Sequence, residues 1–212
     1  MSKFDYSNTD DHKFYQFGVK VVPAIARMSF KYKVTGTENF PKEGPYIIAS
    51  NHIYVMDPGF VAMICDRPVH FMTKKEAFEK GIFSKILTGA NAFPVNRGGA
   101  AGDSIAYAVK LLQEGKILGI FPEGHRSDDG RPAKARPGIA KIIKEAKVDV
   151  VPVSIFNDEG CKKGSKLSIR VGKPIKFEEF GLTDESGREE MRSAADFVMQ
   201  KITALWEEGH CE

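Results

Sequence analysis

Apolar and polar positions along the chain fall into short apolar runs separated by longer amphipathic segments. Seven runs predict β-strands, at residues 31–34, 46–49, 69–72, 92–95, 117–121, 150–156 and 167–171. Between most of them, apolar residues recur at steps of three and four, which is typical of amphipathic helices. Strands that alternate with helices indicate an α/β fold with a largely parallel, mixed sheet covered by helices on both faces.

Three of the helices have clear apolar stripes, which we expect to pack on the sheet. The stripes are Ile105, Ala108, Val109 and Leu112; Ile139, Ile142, Ile143 and Ala146; and Met191, Ala195, Val198, Ile202 and Leu205. Gly115 is expected to end the first of these helices, and Thr183 or Asp184 to begin the last. Pro152, inside the sixth run, argues for an edge strand or a bulge.

The N-terminal region has an amphipathic pattern of a different kind. A helical projection aligns one apolar stripe and a basic edge beside it: Phe14, Phe17, Val21, Ile25 and Met28, with Lys13, Lys20, Arg27 and Lys31. This pattern predicts either a helix that lies on an anionic membrane surface or a helix packed on its own domain. Pro23 is expected to kink it or to split it in two. We expect residues 1–35 to form this N-terminal helical segment and residues 36–212 to form one domain.

Composition and charge narrow the class of protein. The chain has 212 residues and a net charge of +3, and no dense basic patch is interleaved with aromatics, so we expect no nucleic-acid partner. Three widely spaced cysteines favour a reducing compartment. The longest stretch without Asp, Glu, Lys or Arg covers thirteen residues, 44–56, short of the ~20 that span a bilayer. We expect a cytoplasmic protein, peripheral to the inner face of the cell membrane.

His52 and Asp57 stand five positions apart, directly after the predicted strand at 46–49. On one continuous helix they would point about 140° apart, but a loop after the strand would let His52 fold back. Pro58 suits the first helical position, which would leave Asp57 as the N-cap. An aspartate bonded to one ring nitrogen leaves the other available as a general base. The alternative is a surface histidine beside an ordinary helix cap.

Other predicted strands also end in polar or unusual residues. Phe121-Pro122-Glu123-Gly124-His125-Arg126-Ser127 follows one strand, and Phe93-Pro94-Val95-Asn96-Arg97 ends another. Val151-Pro152-Val153 lies in a third. Ligands in open α/β sheets bind outside the carboxyl ends of the strands, so we expect these residues to border one site.

The order and spacing of these four segments resemble the glycerolipid acyltransferase family, whose best-known members are the 1-acylglycerol-3-phosphate acyltransferases. The resemblance covers about residues 46–155, half of the chain. The family usually has threonine where His125 stands. That histidine either alters the acceptor pocket or simply replaces a small polar residue.

The resemblance implies transfer of a fatty acyl chain from an acyl-CoA or acyl-carrier-protein thioester to a lysophospholipid hydroxyl. The expected reaction converts 1-acylglycerol 3-phosphate to phosphatidic acid. His52 would be the general base and Asp57 would orient it, without an acyl-enzyme. Since the sequence has no zinc-type motif, we expect no metal and no cofactor beyond the thioester co-substrate.

The same resemblance suggests how the acceptor is held. Arg97 and Arg126 are the expected phosphate ligands, because a guanidinium group matches phosphate oxygens in two places. Lys74 corresponds to a family lysine and would add a charge, or it is a solvated lysine. Glu123 would accept a hydrogen bond from the acceptor hydroxyl or pair with Arg126. Gly124 would let backbone amides approach the substrate.

Several alternatives remain open at this point. The acceptor could be a lyso-aminolipid or glycerol 3-phosphate, or water could replace it, as in a thioesterase. A protein of the same fold could bind anionic lipids without catalysis. The apolar segment at residues 77–87 could line an acyl-chain groove or form a core helix.

Overall fold

A single seven-stranded sheet forms the centre of the computed structural model, which describes residues 4–6, 8–9, 13–79, 81–95 and 101–212. The strand order is β1-β7-β6-β2-β5-β3-β4. The strands are β1 (Lys31–Thr35), β2 (Tyr46–Ser50), β3 (Val69–Lys74), β4 (Ala92–Val95), β5 (Ile117–Ile120), β6 (Asp149–Phe156) and β7 (Lys166–Val171). Every pairing between them is parallel except that of β6 with β7. The predicted strands and the largely parallel sheet are confirmed.

Helices cover both faces of this sheet, as predicted. They are α1 (Lys13–Ser29), α2 (Asp57–Ile64), α3 (Gly81–Gly89), α4 (Ala101–Gln113), α5 (Gly138–Ala146) and α6 (Arg188–Glu207). Buried residues of α1 and α2 share one apolar cluster with one face of the sheet. Buried residues of α4, α5 and α6 form a second cluster on the other face. The predicted core stripes of these last three helices therefore do pack on the sheet.

The predicted start of the last helix is wrong by several residues. Helix α6 begins at Arg188, and the side chain of Glu190 accepts a hydrogen bond from the N–H of Gly187 at 2.9 Å. Thr183 belongs to a preceding turn, in which its N–H donates to the hydroxyl of Ser186. The sequence predicted that Thr183 or Asp184 begins the helix, but these residues belong to the turn that precedes it.

Strand β6 is not an edge strand, so that part of the expectation for Pro152 is wrong, whereas the pairing of β6 with the segment after β7 is irregular beside the proline. Strand β6 lies inside the sheet, and Pro152 stands opposite Ala49 in an unbroken parallel register. Its backbone faces the β7 side, where its carbonyl accepts from the N–H of Gly172. Pairing with β7 begins only at Val153, so the missing N–H of the proline falls where the ladder is interrupted.

Helix α1 is one continuous helix with Pro23 inside it, so the expected split does not occur. Its inner face is apolar, and Tyr15 and Ala26 are buried against the domain. The predicted apolar stripe lies on a different face and is exposed: Phe14 50%, Phe17 60%, Val21 37%, Ile25 42% and Met28 78%. The helix therefore has two apolar faces, of which the domain covers one. Strand β1, within residues 1–35, pairs with β7 in the sheet.

The carboxyl ends of β2, β3, β4, β5 and β6 lie at one edge of the sheet because these strands run parallel to one another. Strands β1 and β7 run in the opposite direction and begin at this edge. The edge thus collects the loops that follow the parallel strands together with the first residues of β1 and β7.

Candidate active site

A six-residue loop, residues 51–56, connects the end of β2 to the start of α2. Its first residue, Asn51, is fully buried. The side-chain amide of Asn51 donates to the carbonyl of Ile155 at 2.8 Å, and its oxygen accepts from the N–H of Ile155 at 2.8 Å. These two bonds tie the loop to β6. Sequence reasoning did not single out Asn51, because a contact across 104 positions leaves no local pattern.

His52 and Asp57 meet across this loop. Nδ1 of His52 lies 2.8 Å from Oδ2 of Asp57, and the same oxygen accepts from the backbone N–H groups of Ile53 and Tyr54 at 2.7 Å each. Asp57 was expected to be the N-cap of α2, but the N-cap is Met56 and makes no side-chain cap bond. The carboxylate turns back towards the loop and sets the position of the imidazole.

The two side chains have different environments. Asp57 is fully buried, and burial raises its pKa, while the hydrogen bonds from His52 and the two backbone groups oppose that shift. The His52 side chain is 19% exposed, and its ring stacks on Phe121 with centroids 4.3 Å apart. In the described part of the chain, Nε2 of His52 has no hydrogen-bond partner. This nitrogen is therefore available to a ligand.

Glu123 supports His52 from the neighbouring strand end. It is 1% exposed, and its Oε1 accepts from the backbone N–H of His52 at 3.2 Å. Burial raises the pKa of Glu123 to about 7. The expected pairing with Arg126 is absent among the described residues, where Oε2 of Glu123 has no partner. Since 71 positions separate Glu123 from His52, the sequence held no signal for their contact.

The turn after Glu123 is built around Gly124. Its φ is +72°, and its N–H donates to the carbonyl of Phe121 at 3.0 Å. This amide therefore closes the turn. This positive φ favours glycine, and a Cβ here would lie 2.7 Å from the side chain of Arg136, which would have to move. The N–H of Ser127 then donates to the carbonyl of His52 at 2.7 Å.

The candidate cations border this site. Arg126 and His125 are exposed on the turn that precedes Ser127, and Arg126 forms no ion pair within the described ranges. Lys74 is exposed at the carboxyl end of β3, where it is paired in register with Val95 of β4. Arg97 lies outside the described residues. The structure thus places Lys74 and Arg126 at the edge of the sheet that carries His52.

Arg136 is a further cation near the site that sequence reasoning missed. Its Nε donates to the carbonyl of Glu123 at 3.2 Å, and its N–H donates to the carbonyl of Pro122 at 2.8 Å. The exposed guanidinium covers Gly124 beside Arg126.

The apolar segment at residues 77–87 is not a core helix where its side chains are described. Ile86 of α3 is 47% exposed, and Leu87 is partly exposed. A cavity of about 720 Å³ lies elsewhere, at the opposite end of β2, with Tyr46, Arg27 and Arg67 in its lining. Neither His52 nor Asp57 lines this cavity, so it is not the catalytic pocket.

A protein-family model described as "Acyltransferase" matches residues 31–156, more than half of the chain. The chain belongs to the acyltransferase family. A 1-acyl-sn-glycerol-3-phosphate acyltransferase of Bacillus subtilis is 29% identical over 195 residues, which cover 90% of this chain and 96% of that protein. One from Borreliella burgdorferi is 31% identical over 129 residues, which cover 60% of this chain and 52% of that protein.

A solved structure confirms the acyltransferase fold. The crystal structure of the 1-acyl-sn-glycerophosphate (LPA) acyltransferase from Thermotoga maritima aligns with a TM-score of 0.71 at 23% identity, covering 92% of this chain and 78% of that one. The family resemblance found in the sequence, and with it the expectation of an O-acyltransferase enzyme, is thus confirmed. Across the described part of this acyltransferase, no helix is long and apolar enough to cross a membrane.

Proposed function

We propose that this acyltransferase moves a fatty acyl chain from an acyl-CoA or acyl-carrier-protein thioester to the hydroxyl of 1-acylglycerol 3-phosphate, giving phosphatidic acid. The names of its relatives support this acceptor. The observation that carries the proposal is the 2.8 Å contact between Nδ1 of His52 and Asp57, which leaves Nε2 of the partly exposed ring for the acceptor.

In the proposed reaction, Nε2 of His52 takes the proton of the acceptor hydroxyl while its oxygen attacks the thioester carbonyl. The tetrahedral oxyanion collapses, the C–S bond breaks, and the imidazolium returns the proton to the leaving thiolate. Asp57 stabilises the imidazolium and holds the tautomer that leaves Nε2 basic. The bonds that form and break are balanced without any cofactor.

Direct attack by the acceptor, rather than an acyl-enzyme, is supported by the state of Cys161, which lies near the catalytic loop, and of Cys65, which lies farther away. Cys161 packs in the same apolar cluster as Ile53 and Tyr54, and burial together with the charge of Asp57 raises its pKa to about 11. Burial also raises the pKa of the buried Cys65. Both therefore remain thiols near neutral pH, and a thiol is a poor nucleophile.

The acceptor phosphate is proposed to bind Arg126 and Arg97, with Lys74 adding a third charge. Arg126 and Lys74 are exposed and border the edge of the sheet where His52 lies. An exposed guanidinium is free to form two charge-assisted hydrogen bonds with a phosphate.

The enzyme is proposed to work at the inner face of the cell membrane, attached through α1. Five large apolar side chains of this helix are exposed, from Phe14 to Met28, and the exposed Lys20 and Arg27 lie beside them. An exposed apolar face with a basic border is the pattern of an interfacial helix on anionic lipid. Co-sedimentation of the full chain with vesicles containing anionic lipid tests this attachment.

Two substitutions on the stripe should weaken vesicle binding. We expect the double variant Phe17→Ser/Met28→Ser to bind vesicles at least about tenfold more weakly. Each substitution removes apolar area that would be buried in the bilayer. Gln16→Ser with Ala24→Ser, both exposed on the same helix, is the matched control. Equal binding by the two pairs of variants would refute attachment through this stripe.

The activity is tested by thioester consumption with purified protein and identification of the product by mass. The acceptors are lysophosphatidate, glycerol 3-phosphate and a lyso-aminolipid, the last two because exposed His125 stands beside Arg126. We expect phosphatidic acid from lysophosphatidate to be the fastest product. A faster reaction with another acceptor would replace the proposed substrate, and free acid formed without acceptor would indicate a thioesterase. Lipid binding without thioester consumption would indicate a non-catalytic protein.

A further inference from the structure

The imidazole of His52 has a second contact besides Asp57, and this contact is aromatic. The ring of Phe121, directly after β5, stacks on one face of the imidazole, with centroids 4.3 Å apart and planes 24° from parallel. The hydrogen bond at Nδ1 fixes the position of that atom but not the tilt of the ring plane. A stacked ring fixes the plane, so the direction in which Nε2 points depends on Phe121 as well as on Asp57.

Phe121 is itself supported by a buried ring. Phe71 of β3 lies beside it, with centroids 6.2 Å apart and planes 17° from parallel. Phe71 is 4% exposed and pairs in register with Gly119 of β5. A Cβ at Gly119 would lie 2.3 Å from the Phe71 ring, so the absence of a side chain there makes room for the ring. The support of the imidazole thus extends into the core above β3 and β5.

The face of an aromatic ring also stabilises a cation. Its π electrons attract a positive charge that lies within about 6 Å of the ring centroid. In the proposed reaction His52 becomes an imidazolium when it takes the acceptor proton, and that charge would form 4.3 Å from the centroid of Phe121. Because the neutral imidazole gains less from this contact, Phe121 would stabilise the transition state more than the ground state.

We propose that Phe121 is a positioning residue for the base, whose ring fixes the plane of the His52 imidazole and stabilises the imidazolium. The inference rests on the proposed function, which makes His52 the base. If Phe121 served packing alone, an aliphatic side chain of similar size would replace it with a loss of stability and no change in the chemistry of His52. The two roles therefore differ in properties that can be measured on the imidazole itself.

The first test follows the pH titration of His52 by nuclear magnetic resonance in protein with isotope-labelled histidine. We expect Phe121→Leu to move the titration midpoint to lower pH by about 0.5 unit, because the imidazolium loses its cation–π contact. Phe121→Tyr keeps the ring and should keep the wild-type midpoint. Among the described residues, the ionisable side chains bonded to His52 are those of Asp57 and Glu123, and every variant retains both.

The second test is kinetic. Phe121→Leu should lower kcat by about tenfold and change KM for either substrate by less than about threefold, because a tilted ring misplaces Nε2. Phe121→Tyr should restore kcat to within about twofold of wild type. If Phe121→Leu does not fold, Phe121→Met takes its place with the same expected results, since a flexible methionine fills irregular space.

Phe180→Leu is the matched control. Phe180 is 9% exposed and packs against Phe197 in the apolar cluster on the other face of the sheet. Its replacement should lower the free energy of unfolding, as the loss of any buried ring does, without changing kcat or the titration of His52.

Two sets of results would overturn the proposal. The first is an unchanged midpoint or an unchanged kcat in Phe121→Leu, and the second is a tyrosine variant as slow as the leucine variant. The proposed function would survive either result as long as the wild type still forms phosphatidic acid. If the wild type transfers no acyl chain to any acceptor, the proposed function fails instead, and the positioning role in catalysis fails with it.

Discussion

The two halves of the candidate site are built in opposite ways. The half that holds the proposed base is buried: Asp57 is fully enclosed, and three donors converge on one of its oxygens. The half that would hold the phosphate is exposed, with Arg126 and Lys74 on the rim and no ion pair on Arg126 within the described ranges. The base is thus positioned before any substrate arrives, whereas the anion site is completed by the substrate.

This difference has a physical reason. A general base needs one tautomer and one orientation, and a buried carboxylate supplies both at the cost of its own desolvation. Cations that bind a phosphate must remain accessible to the substrate. Because they stay hydrated between turnovers, they avoid the free-energy cost of desolvation. Substitutions in the buried half should therefore lower kcat, and substitutions in the exposed half should raise KM.

His52→Ala should have the largest effect, because it removes the proposed base itself. We expect kcat to fall by about 10³-fold, within the range of general-base catalysis, while folding and vesicle binding are retained. Steady-state kinetics measures kcat, circular dichroism measures folding, and co-sedimentation measures vesicle binding. His125→Ala, which removes an exposed imidazole from the adjacent turn, is the matched control and should change kcat by less than about threefold. Near-normal turnover by His52→Ala would exclude His52 as the base.

Asp57→Asn should have the next largest effect. The amide keeps an oxygen for the donors on the loop but loses the negative charge that stabilises the imidazolium, so we expect kcat to fall by about 10²-fold. Its NH₂ group would replace Oδ1, which has no partner in the described part, and should cost about 1–3 kcal/mol of stability. Denaturant unfolding measures that cost. A large loss of stability with unchanged kcat would assign Asp57 a structural role alone.

Arg126→Ala should act on the exposed half. Loss of a charge-assisted hydrogen bond, worth about 1.5–3 kcal/mol, should lower kcat/KM for lysophosphatidate by about 10- to 100-fold, mainly through KM. Arg131→Ala removes another exposed guanidinium a few residues along and should leave KM unchanged. If the two variants behave alike, the phosphate is not bound by Arg126.

Sequence patterns predicted the features of this molecule that depend on neighbouring residues. All seven strands lie within two residues of their predicted bounds, and His52 meets an aspartate only five positions away. The errors and omissions depend on distant contacts. Pro152 is tolerated inside the sheet because the pairing of β6 with β7 begins at Val153, the next residue of β6. Asn51 and Glu123 contact partners 104 and 71 positions away. Such pairs become visible only when the strand order is known.

Glu123→Gln should act on stability, and the size of this effect should depend on pH. Burial raises the pKa of Glu123 from 4.5 to about 7, so the folded protein holds this proton more tightly than the unfolded chain does. The contribution of Glu123 to the free energy of unfolding is therefore greatest below about pH 4.5, falls as the pH rises to about 7, and is constant above.

Glutamine does not ionise. The stability of the variant relative to wild type should therefore rise by about 2–3 kcal/mol as the pH increases from 5 to 8. Urea unfolding of both proteins at the two pH values measures the change. Glu43→Gln, at an exposed position, should show no such trend. A difference between wild type and Glu123→Gln that does not vary with pH would mean that Glu123 is ionised in the folded protein throughout. The buried half of the site would then hold two charged carboxylates around His52, and the contrast with the exposed cations would be one of charge as well as of burial.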